Sequence, residues 1–401
     1  MNSRRLALAA ALLAAAAIVS ATLTPDRSIT PEMMGRTGRS PWLLADFLRN
    51  VILFAPLGAS LAWSGIRPRL ALVAGVLLSA GIELAQFAIP SRDPSLSDVA
   101  ANVAGVALAL ALFRTAPAWL RPAPARAHTL EAGAGAAVVL ALVGAGFLLA
   151  PAPTAAIFYG HLTPSSLAHL APYGGSVREA SIDGIQIPYG PIADSDGVRE
   201  RLRGDHALRV DAIAGPPPDR LAAFVMISDT AQNEILLLGP DGDDLVYRYR
   251  TPGQRLGLEP ARVRLPHALA GFGPGAPLAL GVSRSRGDLC IAVNGPAQCG
   301  HGLTAGDGWL LVVPDWRILA RAHWAFDATW LAALFAPLGF FARRNAATAA
   351  AWAASAAALV LVPAAFPLRP TPLAELASAG FGVGLGIAAR RHFAAAAERE
   401  I

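Results

Sequence analysis

Seven polar side chains interrupt otherwise apolar stretches in the first hundred or so residues: Asp46, Asn50, Glu83, Gln86, Arg92, Asp98 and Asn102. Asp46 and Asn50 are one helical turn apart and share a face, with Arg49 near enough to pair with Asp46. Ser79, Glu83 and Gln86 form a second stripe, and Asp98, Asn102 and Gly105 a third. Arg92 lies between them and is placed to reach Glu83 or Asp98. Carboxylates, amides and a guanidinium in one place can bind an anionic head group, move a proton or hold a metal ion. The same residues also have structural uses. Ser95-x-x-Asp98 before an apolar run is a capping-box pattern, and Asp46–Arg49 suits an ion pair at a helix end. Glu83, some two turns inside an apolar run, calls for a partner or a cavity. The eight histidines show no zinc spacing, and no phosphate loop, nucleophile elbow or dinucleotide fingerprint occurs. No catalytic residue, metal ligand or resident cofactor is therefore expected.

The elements that hold these residues must lie in lipid. Of the 401 residues 54% are hydrophobic and only 15% charged, with a mean hydropathy of +0.46; soluble domains are about a quarter charged. Eight runs suit a helical span: 5–24, 42–64, 68–90, 97–117, 132–151, 323–341, 346–364 and 373–389. Arg4 and Arg5 ahead of an Ala/Leu run leave two readings for the first, a retained helix or a cleaved signal peptide. All 33 basic residues are arginine. Their concentration in alternate short loops puts both termini in the cytoplasm and the long 152–322 segment outside. That segment's stretch 151–320 carries 17 acids against 14 arginines. The excess basicity thus belongs to the cytoplasmic loops, facing lipid head groups, and nucleic acid is excluded as a partner.

The spans repeat. Asp46 precedes Phe54-Ala55-Pro56-Leu57-Gly58 as Asp327 precedes Phe335-Ala336-Pro337-Leu338-Gly339. Arg92, Asp98 and Gly105 keep the spacing of Arg369, Glu375 and Gly382. A 4+4 arrangement follows. In the second copy Val360, Pro363, Ala379 and Leu331 stand where the first has Glu83, Gln86, Asn102 and Asn50. The first copy is therefore expected to carry any site, and the second to act as support.

The pattern Asp46-x3-Asn50-x3-Phe54-x-Pro56-x-Gly58, Glu83-x2-Gln86, then Arg92-x2-Ser95-Leu96-Ser97-Asp98-x3-Asn102-x2-Gly105 resembles the VanZ-like family of bacterial membrane proteins. The resemblance covers about residues 1–120, with a degenerate echo over 323–390. The founding member is associated with glycopeptide resistance, so the resemblance implies an envelope role and no particular reaction.

Between 180 and 318 the pattern becomes strand-like, with runs at 206–212, 220–228, 234–238, 244–250, 277–283, 289–293 and 309–313. Turn residues separate them, which suggests an antiparallel sandwich. Tyr247-Arg248-Tyr249-Arg250 alternates as if one face were wet. Asn294-Gly295 suits a type I′ hairpin turn, whose register sets Cys290 opposite Cys299 in a non-hydrogen-bonded pair, and so predicts a disulfide. The stretch from Glu234 to Thr251, with 278–283 and 289–295, resembles laminin-G/concanavalin-A-like jelly rolls, and implies glycan or protein binding, sometimes with calcium. Asp241, Asp243 and Asp244 fit a solvated turn, and their loop oxygens are also a set that calcium accepts.

The expected fold is thus multidomain: a helical membrane bundle of about eight spans plus an inserted all-β jelly-roll sandwich. Its parts are VanZ-like helices over 1–128, a fifth span over 129–152, a linker over 153–179, the sandwich over 180–318, and degenerate VanZ-like helices with a cytoplasmic tail over 319–401. Two functions stand open. One is an envelope protein of the bacterial inner membrane displaying a binding domain for a glycan, a polysaccharide or a neighbouring membrane protein. The other is a membrane enzyme or transporter acting on a lipid-linked head group at the polar cluster.

Overall fold

The computed structural model describes residues 3–24, 43–89, 94–164, 170–314, 321–343 and 345–398. The chain divides into two compact units, residues 1–127 with 256–258, and the remainder. The first holds helices α1 (Ser3–Leu23), α2 (Leu44–Trp63), α3 (Pro68–Gln86) and α4 (Leu96–Leu120). Their core is Phe54, Leu57, Leu61, Ala71, Ile82, Val106 and Leu110, with Ala11 and Ile18 of α1. Helix α5 (Pro124–Leu149) leads into the second unit, which closes with α7 (His323–Phe341), α8 (Ala346–Ala365) and α9 (Leu373–Glu398). Among the described residues, seven helices are long and apolar enough to cross a membrane. The eighth expected span is helical as α9 but is not among the seven; Gly- and Ser-rich turns and Glu375 dilute its apolar character.

Small residues set the helix crossings. In the first unit a side chain on Gly58 would strike the backbone of Val106, and one on Gly105 would strike that of Val51. In the second unit Gly339 lies against the backbone of Val383, and Gly382 against that of Ala332. Close backbone approach of this kind is how helices pack where no hydrophobic force separates them from lipid. It is built at matching positions in α2/α4 and α7/α9.

Between α5 and α7 the chain forms two antiparallel sheets. One has the order β4 (Gly190–Pro191), β1 (Tyr159–Leu162), β6 (Val225–Ser228), β7 (Glu234–Asp241), β8 (Asp244–Tyr249), β9 (Ala261–Leu265). The other runs β11 (Asp288–Val293), β10 (Pro277–Ser285), β5 (His206–Ile213), β2 (Ser176–Ile182), β3 (Ile185–Gln186). A short helix α6 (Ser195–Arg203), capped by Asp194, joins the two. Strands β5 and β10 alternate buried and open positions, the mark of a sheet with one packed face. β7 is buried throughout.

In the sandwich some local expectations hold and two are corrected. The alternation of Tyr247-Arg248-Tyr249-Arg250 holds, with both tyrosines buried and both arginines half-buried, and Arg248 makes a bidentate pair with Glu234 across the β7–β8 ladder at 2.9 and 2.7 Å. Residues 309–313 are not a strand: a capping box between Thr304 and Asp307 turns Ala305–Leu311 into a 3-10 helix. The disulfide is formed, with Ile291 bridging Gln298 in the expected register. Its turn is not type I′, however. Asn294 has φ 48° whereas Gly295 is not among the positive-φ residues, and the Asn294 amide is tied to β10 through Ala279 N and Pro277 O.

Two stability predictions follow from this packing. Gly382→Ala should destabilise the chain by about 1–3 kcal/mol through overpacking, whereas Gly380→Ala, with open space beside it, should be neutral or slightly favourable; thermal unfolding of the detergent-solubilised protein compares them. Burial also pushes His161 and His206 below the ordinary histidine value. For such groups the unfolded chain binds more protons, so stability is complete above about pH 6.5 and declines as pH falls toward the lowered native value. The histidine share of stability is therefore lost on acidification, and wild type should lose stability relative to His206→Gln as pH falls below about 6.5, read from unfolding midpoints.

Candidate functional site

The first-unit polar residues separate into several small groups. Glu83, on α3, is 9% exposed and accepts a 2.7 Å hydrogen bond from Ser95 N at the start of α4. Ser95 in turn caps α4 through Ser97 N. Glu83 thus takes the backbone N–H that the capping-box pattern would have assigned to Asp98. Asp98 occupies the first turn of α4 and stands within Coulombic reach of Glu83. Asn102, 3% exposed, donates to Ser79 Oγ at 2.9 Å. Gln86 turns the other way and donates to Thr22 O of α1. Asp46 pairs with Arg49 within α2, and Asn50 lies half-buried one turn on. Arg92 lies outside the described residues. The fold therefore brings Glu83 to Asp98 and Ser79 to Asn102, while Asp46 and Gln86 serve contacts of their own.

A denser cluster forms in the second unit, beside a cavity of about 410 Å³ lined by the 3-10 helix, α7, α9 and the strand segments around them. His323 and Asp327 occupy successive turns of α7 on one face. His323 Nε2 lies 2.8 Å from Asp307 Oδ1 and 3.3 Å from Asp327 Oδ2. Asp307 is fixed from behind: its Oδ2 accepts from Thr304 N at 2.6 Å. Asp327 Oδ1 accepts from the Trp309 indole at 2.6 Å, and that ring stacks on Phe326. Glu375, from the first turn of α9, accepts from Thr304 Oγ1 at 2.8 Å. Gly306 has no side chain because Glu375 Oε2 occupies the place a Cβ would take. Asp307, His323 and Asp327 each offer a ligand atom within 4.8 Å of the other two.

Cations and aromatics complete the lining. Arg262, Arg264, Arg321 and Arg369 border the cavity, as do His301 and the indole of Trp324, which is 75% exposed. Arg264 is committed to Asp241 and Asp244 at 2.6 and 3.0 Å, so two of the three acids of the β7–β8 turn are engaged by a guanidinium, while Asp243 is exposed. Burial holds His301 below the ordinary histidine value, with Asp288 opposing and Arg369 reinforcing the shift.

Sequence reasoning noticed Asp327 and Glu375 only as repeat markers and passed over Asp307 and His323. Signals were present. His323 and Asp327 have the four-residue spacing of one helix face, and Thr304-x-x-Asp307 is itself a capping-box spacing.

In the first unit, Glu83→Ala should cost about 1–3 kcal/mol by leaving Ser95 N without its acceptor. Glu83→Gln, which retains an acceptor oxygen, should cost much less; thermal unfolding in detergent separates the two.

The VanZ/LLP1 family model matches residues 8–119, the stretch that contains α2, α3 and most of α4. No curated protein and no solved structure matches the chain. With its apolar helices, the chain is a membrane protein that carries a VanZ-like region in its first 119 residues.

Proposed function

We propose that this is a non-catalytic binding protein of the bacterial cell envelope, and that the 410 Å³ cavity of the second unit takes a glycan. In this reading the chain sits in the cytoplasmic membrane with both termini inside and the sandwich outside, supported by arginine in the short loops on one side. The paired glycine contacts of α2/α4 and α7/α9 support a duplicated VanZ-like framework. The two antiparallel sheets are compatible with a laminin-G-like jelly roll.

The observation that carries the proposal is the exposed Trp324 indole beside a cavity bordered by carboxylates and guanidinium groups. Apolar pocket walls with a few fixed polar groups are the usual form of a small-ligand site. An indole offers a flat apolar face to a sugar ring, while Asp327, Glu375 and Arg321 supply acceptors and donors for its hydroxyls.

A second reading, a head-group site on α2–α4, has one observation in its favour: Asn102 Oδ1 is buried without a hydrogen-bond partner. Against it, the Glu83 carboxylate is occupied by a helix start.

The test is retention of the full chain, in detergent micelles, on immobilised peptidoglycan fragments and exported polysaccharides. Wild type should be retained, and Trp324→Ala should weaken retention at least ~10-fold, the scale of a lost aromatic anchor. Equal retention of both proteins, or none of either, refutes the glycan reading.

A further inference from the structure

We infer that Asp307, His323 and Asp327 form a binding site for a divalent first-row transition cation, zinc in chemistry. The site concerns the same cavity as the proposed glycan site but does not depend on a glycan.

Three observations support it. The first is geometric: one nitrogen and two carboxylate oxygens lie mutually within 4.8 Å, with His323 Nε2 only 2.8 and 3.3 Å from its neighbours. Ligands around a tetrahedral ion at about 2.0–2.2 Å stand about 3.3–3.6 Å apart, so the His323–Asp327 pair already fits and the hydrogen-bonded His323–Asp307 pair would open by about half an ångström. The second is independent of that cluster. Glu375 is 7% exposed and lines the same cavity, and its Oε2 is buried with no hydrogen-bond partner. A buried carboxylate oxygen without a donor is costly, and native structures rarely keep one without a reason.

The third observation is charge. Asp307, Asp327 and Glu375 gather around a single imidazole. Arg262 and Arg369 also face them, acting on His323 and Glu375 respectively. Arg369 is shared with a fourth acid, its Nε lying 3.8 Å from Asp288 Oδ1, while Arg262 Nη2 donates to Val313 O and Arg369 to Gly300 O. The carboxylates thus exceed the cationic charge available to them, and a dication held by Asp307, His323 and Asp327 would offset the excess.

The oxygens that would not coordinate are already held. Thr304 N fixes Asp307 Oδ2, and Trp309 Nε1 fixes Asp327 Oδ1, which orients each carboxylate as partners behind a metal site do. An imidazole nitrogen among few oxygens suits zinc. Calcium takes six to eight oxygen ligands, more than this cluster offers.

The experiment uses the tag-free full chain in detergent, stripped with chelator and then dialysed against zinc sulfate alone, with no glycan present. Elemental analysis should find about one zinc per chain, and the thermal midpoint of the wild type should rise with zinc. His323→Gln and Asp327→Asn should each weaken retention at least ~10-fold, while Asp46→Asn should leave it unchanged. Failure of wild type to hold zinc overturns the site, as does unchanged affinity in both ligand variants. If the variants do not fold, the wild-type midpoint decides alone, and its indifference to zinc has the same meaning. Glycan retention is scored separately, so either proposal can fail without the other.

Discussion

A carboxylate inside an apolar helical framework must find a donor, because lipid and methyl groups offer none. The start of a helix has the opposite need, since its first N–H groups lack intrahelical acceptors. This protein repeatedly matches one need to the other. Glu83 accepts from Ser95 N ahead of α4. Glu131, 1% exposed on α5, accepts from Thr348 Oγ1 in the first turn of α8 and from Arg343 N. Thr304, which caps the 3-10 helix with Asp307, donates its hydroxyl to Glu375 in the first turn of α9. Buried acids and helix starts therefore position each other, and the polar side chains that look chemical in the sequence are partly the fasteners of the bundle.

The same competition between local and long-range hydrogen bonding explains what the sequence revealed. Strands with a strict period of two, such as β5 and β10, were readable because one face packs and the other does not. The Cys290–Cys299 pairing was readable because the antiparallel register around Ile291 and Gln298 is simple arithmetic. Residues 309–313 misled because their apolar run fits a strand as well as a buried 3-10 helix. The decision lay a few residues upstream, where Thr304 and Asp307 bond to each other's backbone. The type of the Asn294 turn was unreadable for a related reason, as its amide is occupied by the far end of the preceding strand β10, at Ala279 and Pro277.

The polar cluster of the first unit drew notice because its members interrupt apolar runs one after another. The second-unit cluster is harder to see, since it takes two residues from α7, one from the 3-10 helix and one from α9. Comparing the copies by their amides favoured the first, which has Asn50 and Asn102 where the second has Leu331 and Ala379. Comparing them by acids gives another answer, because Asp46 and Asp98 have counterparts in Asp327 and Glu375. Only the fold supplies Asp307 and His323 to those two.

The aligned positions also explain why matching backbone crossings carry different chemistry. In α2, Asp46 is neutralised by Arg49 one turn along; the position aligned with Arg49 in α7 is Trp330, which has no charge to offer. Asp327 must therefore look outside its own helix, and it meets the Trp309 indole and His323 at the cavity. The reverse exchange occurs at the next helix start. Ser95 needs an acceptor for its N–H and Glu83 provides it, whereas the aligned pair is Pro372, which has no N–H, and Val360, which has no oxygen to give. Donor and acceptor have disappeared together, so nothing is left unsatisfied by their loss. With no capping acid in α8 and no counterpart of Arg49 in α7, Asp327 and Glu375 accept hydrogen bonds from Trp309 and Thr304, around the 3-10 helix at the cavity.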